Sequence, residues 1–252
     1  MDVLNPFLSH NYPYLMKRWR TVAKKAGLKF SKIGASSYPC YEVFSPTLSK
    51  SGGIYLSAGI HGDETGAVLG LLQWAEENID TLSSLPLLIY PCINPWGVEN
   101  NLRYDSRGLD LNRVWDDATT SPIIARIMKR IRTHEFRISI CLHEDYDAHG
   151  IYLYGVGACA ENRKLAEEIL SSGEMIIPRD RRRKIDGRRC SNGMIFPRSS
   201  RPPKDGLPEA LYLYKNCGLR NFTLETPSEF SIESRTASHV AMITRAMNFL
   251  DR

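Results

Sequence analysis

The sequence has no apolar run long enough to cross a bilayer, which takes about 20 consecutive apolar residues. Its N-terminal stretch also lacks the apolar core of a secretory signal. That stretch instead places Tyr14, Leu15, Trp19 and Val22 at the spacing of an amphipathic helix. We therefore expect no membrane partner and a cytoplasmic location.

Closely spaced cysteines are missing as well. No two of the six cysteines have the spacing of a zinc-binding pair. Cys92 and Cys141 lie inside apolar runs, which is typical of small buried thiols. Without an export signal we expect these thiols to be reduced.

The net positive charge is concentrated in one segment of the chain. The formal net charge of +5 equals the excess within residues 179–189, RDRRRKIDGRR, which hold seven basic and two acidic residues. A nucleic-acid-binding protein usually distributes its charge over a whole face, so nucleic acid is not the expected partner. Two interpretations of the segment stay open, a solvated loop or a rim that attracts anionic substrates.

Internal repeats and low-complexity tracts are also absent, and apolar periodicity indicates strands alternating with helices. Strands are predicted at 52–60, 85–94, 137–145, 150–157 and 219–226. Helices are predicted at 65–79, 121–134, 160–171 and 232–250, and residues 173–208 are predicted to form a long, basic loop region. The pattern predicts one domain over 1–252 in the α/β class, a three-layer α/β/α sandwich around a mixed, mostly parallel sheet.

Four polar side chains fall at or just beyond the ends of predicted strands: His61, Glu64, His143 and Glu225. In such sheets ligands bind outside the carboxyl ends of the strands. The four residues therefore predict a functional site at one edge of the sheet.

The residue types at this edge are those of a zinc site. Zinc prefers about four ligands drawn from His, Cys and carboxylates, and a catalytic zinc keeps one position open. His61 and Glu64 are three residues apart across a turn and could reach one ion, and His143 is the best third candidate. There is no HExxH motif. An alternative stays open, in which Asp63 and Glu64 only complement the dipole of the next helix and Glu225 is an ordinary charged strand end.

Residues 93–115, INPWGVENNLRYDSRGLDLNRVW, are neither periodic helix nor strand and taken alone could be a polar surface loop. Their motifs belong to an ordered series: HGDE, NPxG, an arginine, GxDLNR, a strand ending in His and a strand ending in ETP. From about residue 52 to the C-terminus this series resembles the zinc carboxypeptidase superfamily. That superfamily includes carboxypeptidase A-like peptidases, murein-peptide carboxypeptidases and the succinylglutamate desuccinylase and aspartoacylase branch.

The resemblance implies a single bound zinc ion. His61, Glu64 and His143 would be its ligands, the set of two histidines and one glutamate found in carboxypeptidase A. Asp110 would accept a hydrogen bond from the far nitrogen of His61 and fix the tautomer of that ring.

The resemblance also assigns the residues that meet the substrate. Asn112 and Arg113 would bind a substrate carboxylate, for which a planar guanidinium is well suited. Arg103, or less favourably Arg107, would stabilise the oxyanion that forms on the attacked carbonyl. Glu225 would be the general base that activates water and then protonates the leaving amine.

Some positions depart from the family pattern. The stretch IFPR places Phe196 where carboxypeptidase A-like enzymes carry a substrate-capping tyrosine, and Tyr212 or Tyr214 could either replace it or belong to the core. Glu209 could meet a basic substrate side chain, or it could be an acidic residue in the first turn of a helix. Only about 27 residues follow Glu225, too few for the extra β-domain of the desuccinylase branch, which favours the peptidase branch.

Three functional hypotheses follow. The leading one is a zinc metallocarboxypeptidase that removes a C-terminal residue from a peptide with a free carboxylate. A close alternative is an amidohydrolase of N-acyl amino acids. A hypothesis of a different class is a non-catalytic scaffold that binds polyanions, whose affinity would fall steeply with salt and whose function would not depend on His61.

Overall fold

The computed structural model describes residues 8–34, 37–116, 120–197 and 203–250. The helices in these ranges are α1 (Tyr12–Lys25), α2 (Thr65–Glu77), α3 (Pro95–Asn100), α4 (Pro122–Ile131), α5 (Ala160–Glu174), α6 (Glu209–Asn216) and α7 (Ile232–Leu250). A short 3₁₀ helix covers Leu111–Arg113. The strands are β1 (Lys29–Ile33), β2 (Cys40–Phe44), β3 (Ser51–Ser57), β4 (Leu87–Tyr90), β5 (Glu135–Asp145), β6 (Tyr152–Val156), β7 (Lys184–Ile185), β8 (Arg188–Arg189), β9 (Met194–Ile195) and β10 (Asn221–Pro227).

An eight-stranded mixed sheet is the centre of the fold. Its strand order is β1-β2-β4-β3-β5-β10-β6-β9. The four central strands β4, β3, β5 and β10 run parallel to one another. Antiparallel pairing joins β10 to β6, β4 to β2 and β2 to β1. The central parallel strands bring their carboxyl ends to one edge, where ligands bind in sheets of this kind.

Helices cover both faces of this sheet. On one face α1, α2, α5 and α7 bury a core that includes Trp19, Leu71, Ile169 and Met242. On the other face α4 and α6 pack over a smaller core. Three fully buried isoleucines of α4 recur at helical spacing in that smaller core, which explains why this segment forms an amphipathic helix. The predicted α/β/α sandwich with a mixed, mostly parallel sheet is confirmed.

The structure also contains elements that the sequence pattern did not predict. β1 and β2 form an antiparallel edge of the sheet, and α3 interrupts the polar stretch 93–115. The predicted loop region 173–208 contains the β7–β8 hairpin and β9 within its described residues. All six cysteines are free, and five of them are buried. No helix in the described part of the chain is both long and apolar enough to span a membrane.

Candidate metal centre and catalytic cleft

The four predicted strand-end residues come together at the carboxyl edge of the sheet. His61 and Glu64 lie in the turn between β3 and α2, and His143 lies near the end of β5. Glu225 stands on β10 directly beside His143, because the parallel register pairs these two positions. Residues from three adjacent parallel strands thus reach one location.

A close approach of two loops fixes the turn that carries His61 and Glu64. A Cβ atom added to Gly62 would lie 1.9 Å from the carbonyl carbon of Gly97 at the start of α3. Gly59 adopts a positive φ of 62° where the chain leaves β3, a conformation that favours glycine. The HGDE and NPWG segments therefore fold against each other, and only glycine fits at position 62.

Three donor groups converge at this turn. The His61 Nδ1 atom lies 2.6 Å from one Glu64 oxygen, and the His143 Nδ1 atom lies 2.9 Å from the other. The three ligating atoms all lie within 4.8 Å of one another, and all three side chains are buried. Two imidazoles and one carboxylate form a donor set that zinc accepts in catalytic sites. This group could therefore hold a metal ion.

The electrostatics of the group favour an added cation. Burial alone would lower the pKa of His61, but Glu64 and Asp110 raise it to about 9. Burial likewise opposes protonation of His143, but Glu64 favours it, and the pKa of His143 is raised. Burial would raise the pKa of Glu64, but the two imidazoles outweigh it and lower that pKa. A negative carboxylate that draws protons to its neighbours would also attract a metal ion, which competes with those protons.

Asp110 occupies the position that the resemblance implied. It precedes the 3₁₀ helix, and its carboxylate lies 3.2 Å from the His61 Nε2 atom, on the far side of the ring from Glu64. Its other oxygen accepts hydrogen bonds from the Arg103 Nε and Nη2 atoms at 3.2 and 3.0 Å. The Arg103 Nη1 atom then lies 3.3 Å from the His61 Nδ1 atom. Asp110 thus orients both the imidazole and a guanidinium toward the same space.

Asn112 and Arg113 lie on the cleft wall, with some of their polar atoms already engaged. The Asn112 Oδ1 atom accepts a hydrogen bond from the backbone N–H of Glu209 at 2.9 Å. The Arg113 Nε atom donates to Asp205 at 2.6 Å, and its Nη1 atom donates to the carbonyl of Asn112 at 2.9 Å. The Asn112 amide donors and the Arg113 Nη2 atom make no hydrogen bond to other described residues, so the groups that remain are donors.

Glu225 is buried and points into the same cleft. It makes no side-chain hydrogen bond to other described residues. Burial raises its pKa well above the usual range of a glutamic acid, His143 lowers it in part, and the negative charge of Glu64 raises it further. A carboxyl group with a raised pKa beside a metal-type site has the property expected of a proton shuttle.

A second carboxylate, Glu144, lies beneath the site. Its oxygens accept hydrogen bonds from the Gly66 N–H at 3.0 Å, from the Arg235 Nη1 atom at 2.8 and 2.9 Å, and from the Thr226 hydroxyl at 3.2 Å. Burial raises the pKa of Glu144 to about 7, and Arg235 opposes that rise. Because every partner is a donor, the ionised carboxylate is the form that satisfies these contacts.

The cleft has a volume of about 530 Å³. Besides the predicted residues it is lined by Tyr146, Tyr152, Tyr154 and Asp186, which sequence reasoning missed. Tyr152 and Tyr154 alternate along β6 and stand opposite Glu225 and Thr223 of β10, so their side chains share the cleft face. The sequence alone does not reveal that β6 is antiparallel to β10, so it gave no signal for these tyrosines.

Other predicted positions lie outside the cleft. The Phe196 ring packs close to Gly155 and beneath the Arg163 guanidinium at 4.5 Å, and it does not line the cavity. Tyr212 is buried against Trp115. Glu209 does begin a helix, α6, but it is buried and accepts a hydrogen bond of 2.5 Å from the Tyr55 hydroxyl rather than facing the cleft. Arg107 is paired with Asp105 at 2.9 Å, away from the cavity.

A family model named succinylglutamate desuccinylase/aspartoacylase catalytic domain matches residues 51–174. No functionally curated protein matches the sequence significantly. Among solved structures, a candidate metallopeptidase from Shewanella amazonensis SB2B is 18% identical, with a TM-score of 0.85 over 96% of this chain and 94% of that chain. Murein-tripeptide amidase MpaA from Escherichia coli O157 is 18% identical, with a TM-score of 0.56 over 88% of this chain and 92% of that chain.

A third similar structure is a metallo-carboxypeptidase from Pseudomonas aeruginosa in complex with (2-guanidinoethylmercapto)succinic acid. It is 16% identical, with a TM-score of 0.64 over 93% of this chain and 68% of that chain. At these identities the likenesses show a shared fold. Together with the family model matched over residues 51–174 they support the resemblance to the zinc carboxypeptidase-like superfamily that the sequence motifs carry.

Proposed function

We propose that this chain is a zinc-dependent hydrolase that removes the C-terminal residue from a peptide. The observation that carries the proposal is the convergence of His61, Glu64 and His143 in one cleft with Glu225. A metal-binding donor set beside a buried carboxyl group of raised pKa is the combination that amide hydrolysis by activated water requires.

The two histidines and Glu64 would hold the zinc ion through their converging Nδ1 and carboxylate atoms. The chemistry that a bound zinc ion supplies is the ionisation of water near pH 7. Asp110 would keep His61 in the tautomer that leaves its Nδ1 atom free for a metal, because the His61 Nε2–H group donates a hydrogen bond to the carboxylate.

Glu225 would carry the proton through the reaction. As the oxygen of water bonds to the carbonyl carbon, the Glu225 carboxylate accepts a proton from that water. The same proton passes to the amide nitrogen as the carbon–nitrogen bond breaks, so the first products are a carboxylic acid and a free amine. The remaining proton of the water then passes from the acid to the amine, which leaves a carboxylate and an ammonium group. The Arg103 guanidinium, which lies beside His61, would donate hydrogen bonds to the carbonyl oxygen as negative charge develops on it.

The free donors of Asn112 and Arg113 would bind the terminal carboxylate of the substrate. Because the Asn112 oxygen is held by the Glu209 N–H, its amide donors are the atoms left for an anion. The Pseudomonas relative supports this assignment, since the compound in that complex is named as a succinic acid and so carries carboxylates.

A second candidate function is hydrolysis of N-acyl amino acids, which also have a free carboxylate. The matched desuccinylase and aspartoacylase catalytic domain favours this candidate. The structures of the carboxypeptidase relatives and of the murein-tripeptide amidase favour the peptidase. The two candidates share the same mechanism and differ in the acyl group that the cleft accepts.

The test is a comparison of kcat/KM on short peptides and on N-acyl amino acids, with metal content measured on the same preparation. We expect one equivalent of zinc and a higher kcat/KM on peptides, with activity lost in Glu225→Gln. Arg103→Gln should lower kcat, whereas its matched control Arg107→Gln should not, because Arg107 lies outside the cleft. A zinc-loaded protein with no Glu225-dependent activity on either panel would rule out the proposal.

A further inference from the structure

The basic segment forms a defined hairpin at the edge of the catalytic cleft. β7 and β8 pair through a two-residue turn in which Asp186 and Gly187 have φ of 48° and 71°. Positive φ at both central residues is the conformation that two-residue hairpins favour. We call residues 181–189 the basic hairpin.

Contacts with the cleft wall fix the tip of the basic hairpin. The Tyr154 hydroxyl donates to the Asp186 carboxylate at 2.7 Å. Asp186 and Arg188 both line the catalytic cavity. The hairpin is therefore a structured rim of the cleft, and a substrate that extends out of the cleft on this side would pass over it.

The described residues neutralise only part of the charge in the segment. Arg179 is buried between Glu167 and Glu174, at 2.8 Å from each. Arg182 pairs with Asp180 at 2.6 Å. Four exposed cations of the hairpin contact no carboxylate among the described residues: Arg181, Arg183, Lys184 and Arg189.

The arrangement of these four cations has an energetic cost. Lys184 and Arg189 are direct partners across the two strands, so their side chains stand on the same face. Like charges in that relation destabilise a strand pair. A bound anion would offset this repulsion.

A cavity of about 330 Å³ lies against the same hairpin. Arg181, Arg182, Arg183 and Arg189 line it, together with the polar residues Ser191 and Asn192. Guanidinium groups suit paired hydrogen bonds to carboxylates. Arg182 also lies 3.8 Å from Asp145, which lines the catalytic cleft, so the two cavities are neighbours.

We propose that the basic hairpin is an exosite that binds carboxylate side chains of an acidic peptide, in the part of the substrate that lies outside the catalytic cleft. This inference rests on the proposed peptidase function and names its substrate class. An acidic peptide is favoured over nucleic acid because the unpaired cations are confined to one short hairpin beside the cleft and do not cover a broad face.

The experiment uses two peptides with the same C-terminal residues, one with an upstream tract of glutamates and one with glutamines. The wild-type protein and the triple variant Arg181→Gln, Arg183→Gln, Arg189→Gln are compared by kcat/KM at low and high salt. The matched control Lys17→Gln, Lys24→Gln, Lys25→Gln removes the same charge from exposed positions on α1.

We expect the wild type to prefer the glutamate peptide by about tenfold at low salt, through KM, and to lose that preference at high salt because salt screens exposed charges. The hairpin variant should show no preference, and the control variant should keep it. If both variants lost the preference for the glutamate peptide equally, net charge alone would be responsible. If both variants kept it, the hairpin would play no part. Either result would overturn the proposal.

Fluorescence anisotropy with the labelled glutamate peptide separates the inference from the function on which it rests. Hairpin-dependent binding without cleavage of either peptide would refute the peptidase and retain the exosite. Cleavage of both peptides at equal kcat/KM would refute the exosite and retain the peptidase. An oligonucleotide that displaces the labelled glutamate peptide at far lower concentration than the unlabelled glutamate peptide does, and binds the hairpin variant weakly, would assign the hairpin to nucleic acid and overturn the proposal.

Discussion

Glu144→Gln tests whether one buried carboxylate holds the candidate metal centre together. Glu144 directly follows His143, and its oxygens accept from Gly66, two residues beyond Glu64. They also accept from Thr226, the residue after Glu225. One side chain therefore ties together the three backbone segments that carry the metal-binding group and the proposed base. Residues that orient metal ligands usually change metal affinity or activity by about 10–100-fold when they are replaced.

The structure sets the size of the expected loss. A glutamine amide keeps one acceptor oxygen and turns the other position into a donor, which faces the donors that now contact Glu144. Arg235, whose side chain is 14% exposed, would keep a buried charge without its partner. Breaking a buried pair in this way costs about 3–5 kcal/mol of stability. We expect a metal affinity lower by about 10–100-fold, equivalent to about 1.4–2.7 kcal/mol.

The assay is titration with Co²⁺, followed by its visible absorption, alongside urea unfolding of the same variants. Glu168→Gln is the matched control, because Glu168 pairs with Arg245 of α7 at 2.6 Å but lies outside the cleft. Thr226→Val provides a milder change that removes one donor and no charge. If Glu144→Gln folded and bound Co²⁺ as tightly as Glu168→Gln does, the positioning role of Glu144 would be wrong.

The remaining predictions concern single side chains. Glu225→Gln should lower kcat by about 10²–10⁴-fold with little change in KM, as measured by steady-state kinetics of the metal-loaded protein. Gly62→Ala should abolish folding, measured by circular dichroism, since its Cβ would overlap the backbone of Gly97. Burial lowers the pKa of His239 from 6.5 to about 3, so as the pH falls the unfolded chain protonates this imidazole before the folded chain does. The free energy of unfolding is therefore highest above about pH 6.5 and decreases as the pH falls toward 3. In urea unfolding, His239→Gln should lack that pH dependence of about 1.4 kcal/mol per pH unit. The control Ile243→Val should have a lower free energy of unfolding than the wild type at every pH, with the same dependence on pH.

The sequence could predict the positions of the central residues because they depend on local pattern and on one rule of topology. Apolar runs locate β3, β5 and β10, and parallel strands end at the same edge of the sheet. That is sufficient to bring His61, His143 and Glu225 to one place. This prediction does not depend on side-chain contacts between distant segments, which no local sequence pattern encodes.

The parts that could not be predicted depend on contacts between distant segments. Arg235 meets Glu144 across 91 residues, and Asn112 meets the Glu209 backbone across 97. No spacing in the chain signals either contact. The basic hairpin differs, because its Asp186-Gly187 pair between two short strands is a recognised hairpin signal. The high density of arginine and the low apolar content around that pair favoured a loop prediction instead.

The charges around the candidate centre explain why it would select a divalent cation. Asp110 is compensated by Arg103, and Glu144 is compensated by Arg235. Glu64 and Glu225 remain, two buried carboxylates. The imidazoles, which can give up their protons, lie 2.6 and 2.9 Å from Glu64, whereas Arg103, already bound to Asp110, lies 3.8 Å away. When no ion is bound, Glu64 raises the pKa values of both histidines, and burial together with Glu64 raises the pKa of Glu225, so protons balance this charge. A doubly charged ion would balance both carboxylates at once and would leave the imidazoles neutral, which is the form in which imidazoles bind a metal. A cation bound there would also favour the ionised form of Glu225, the form that the proposed general base requires.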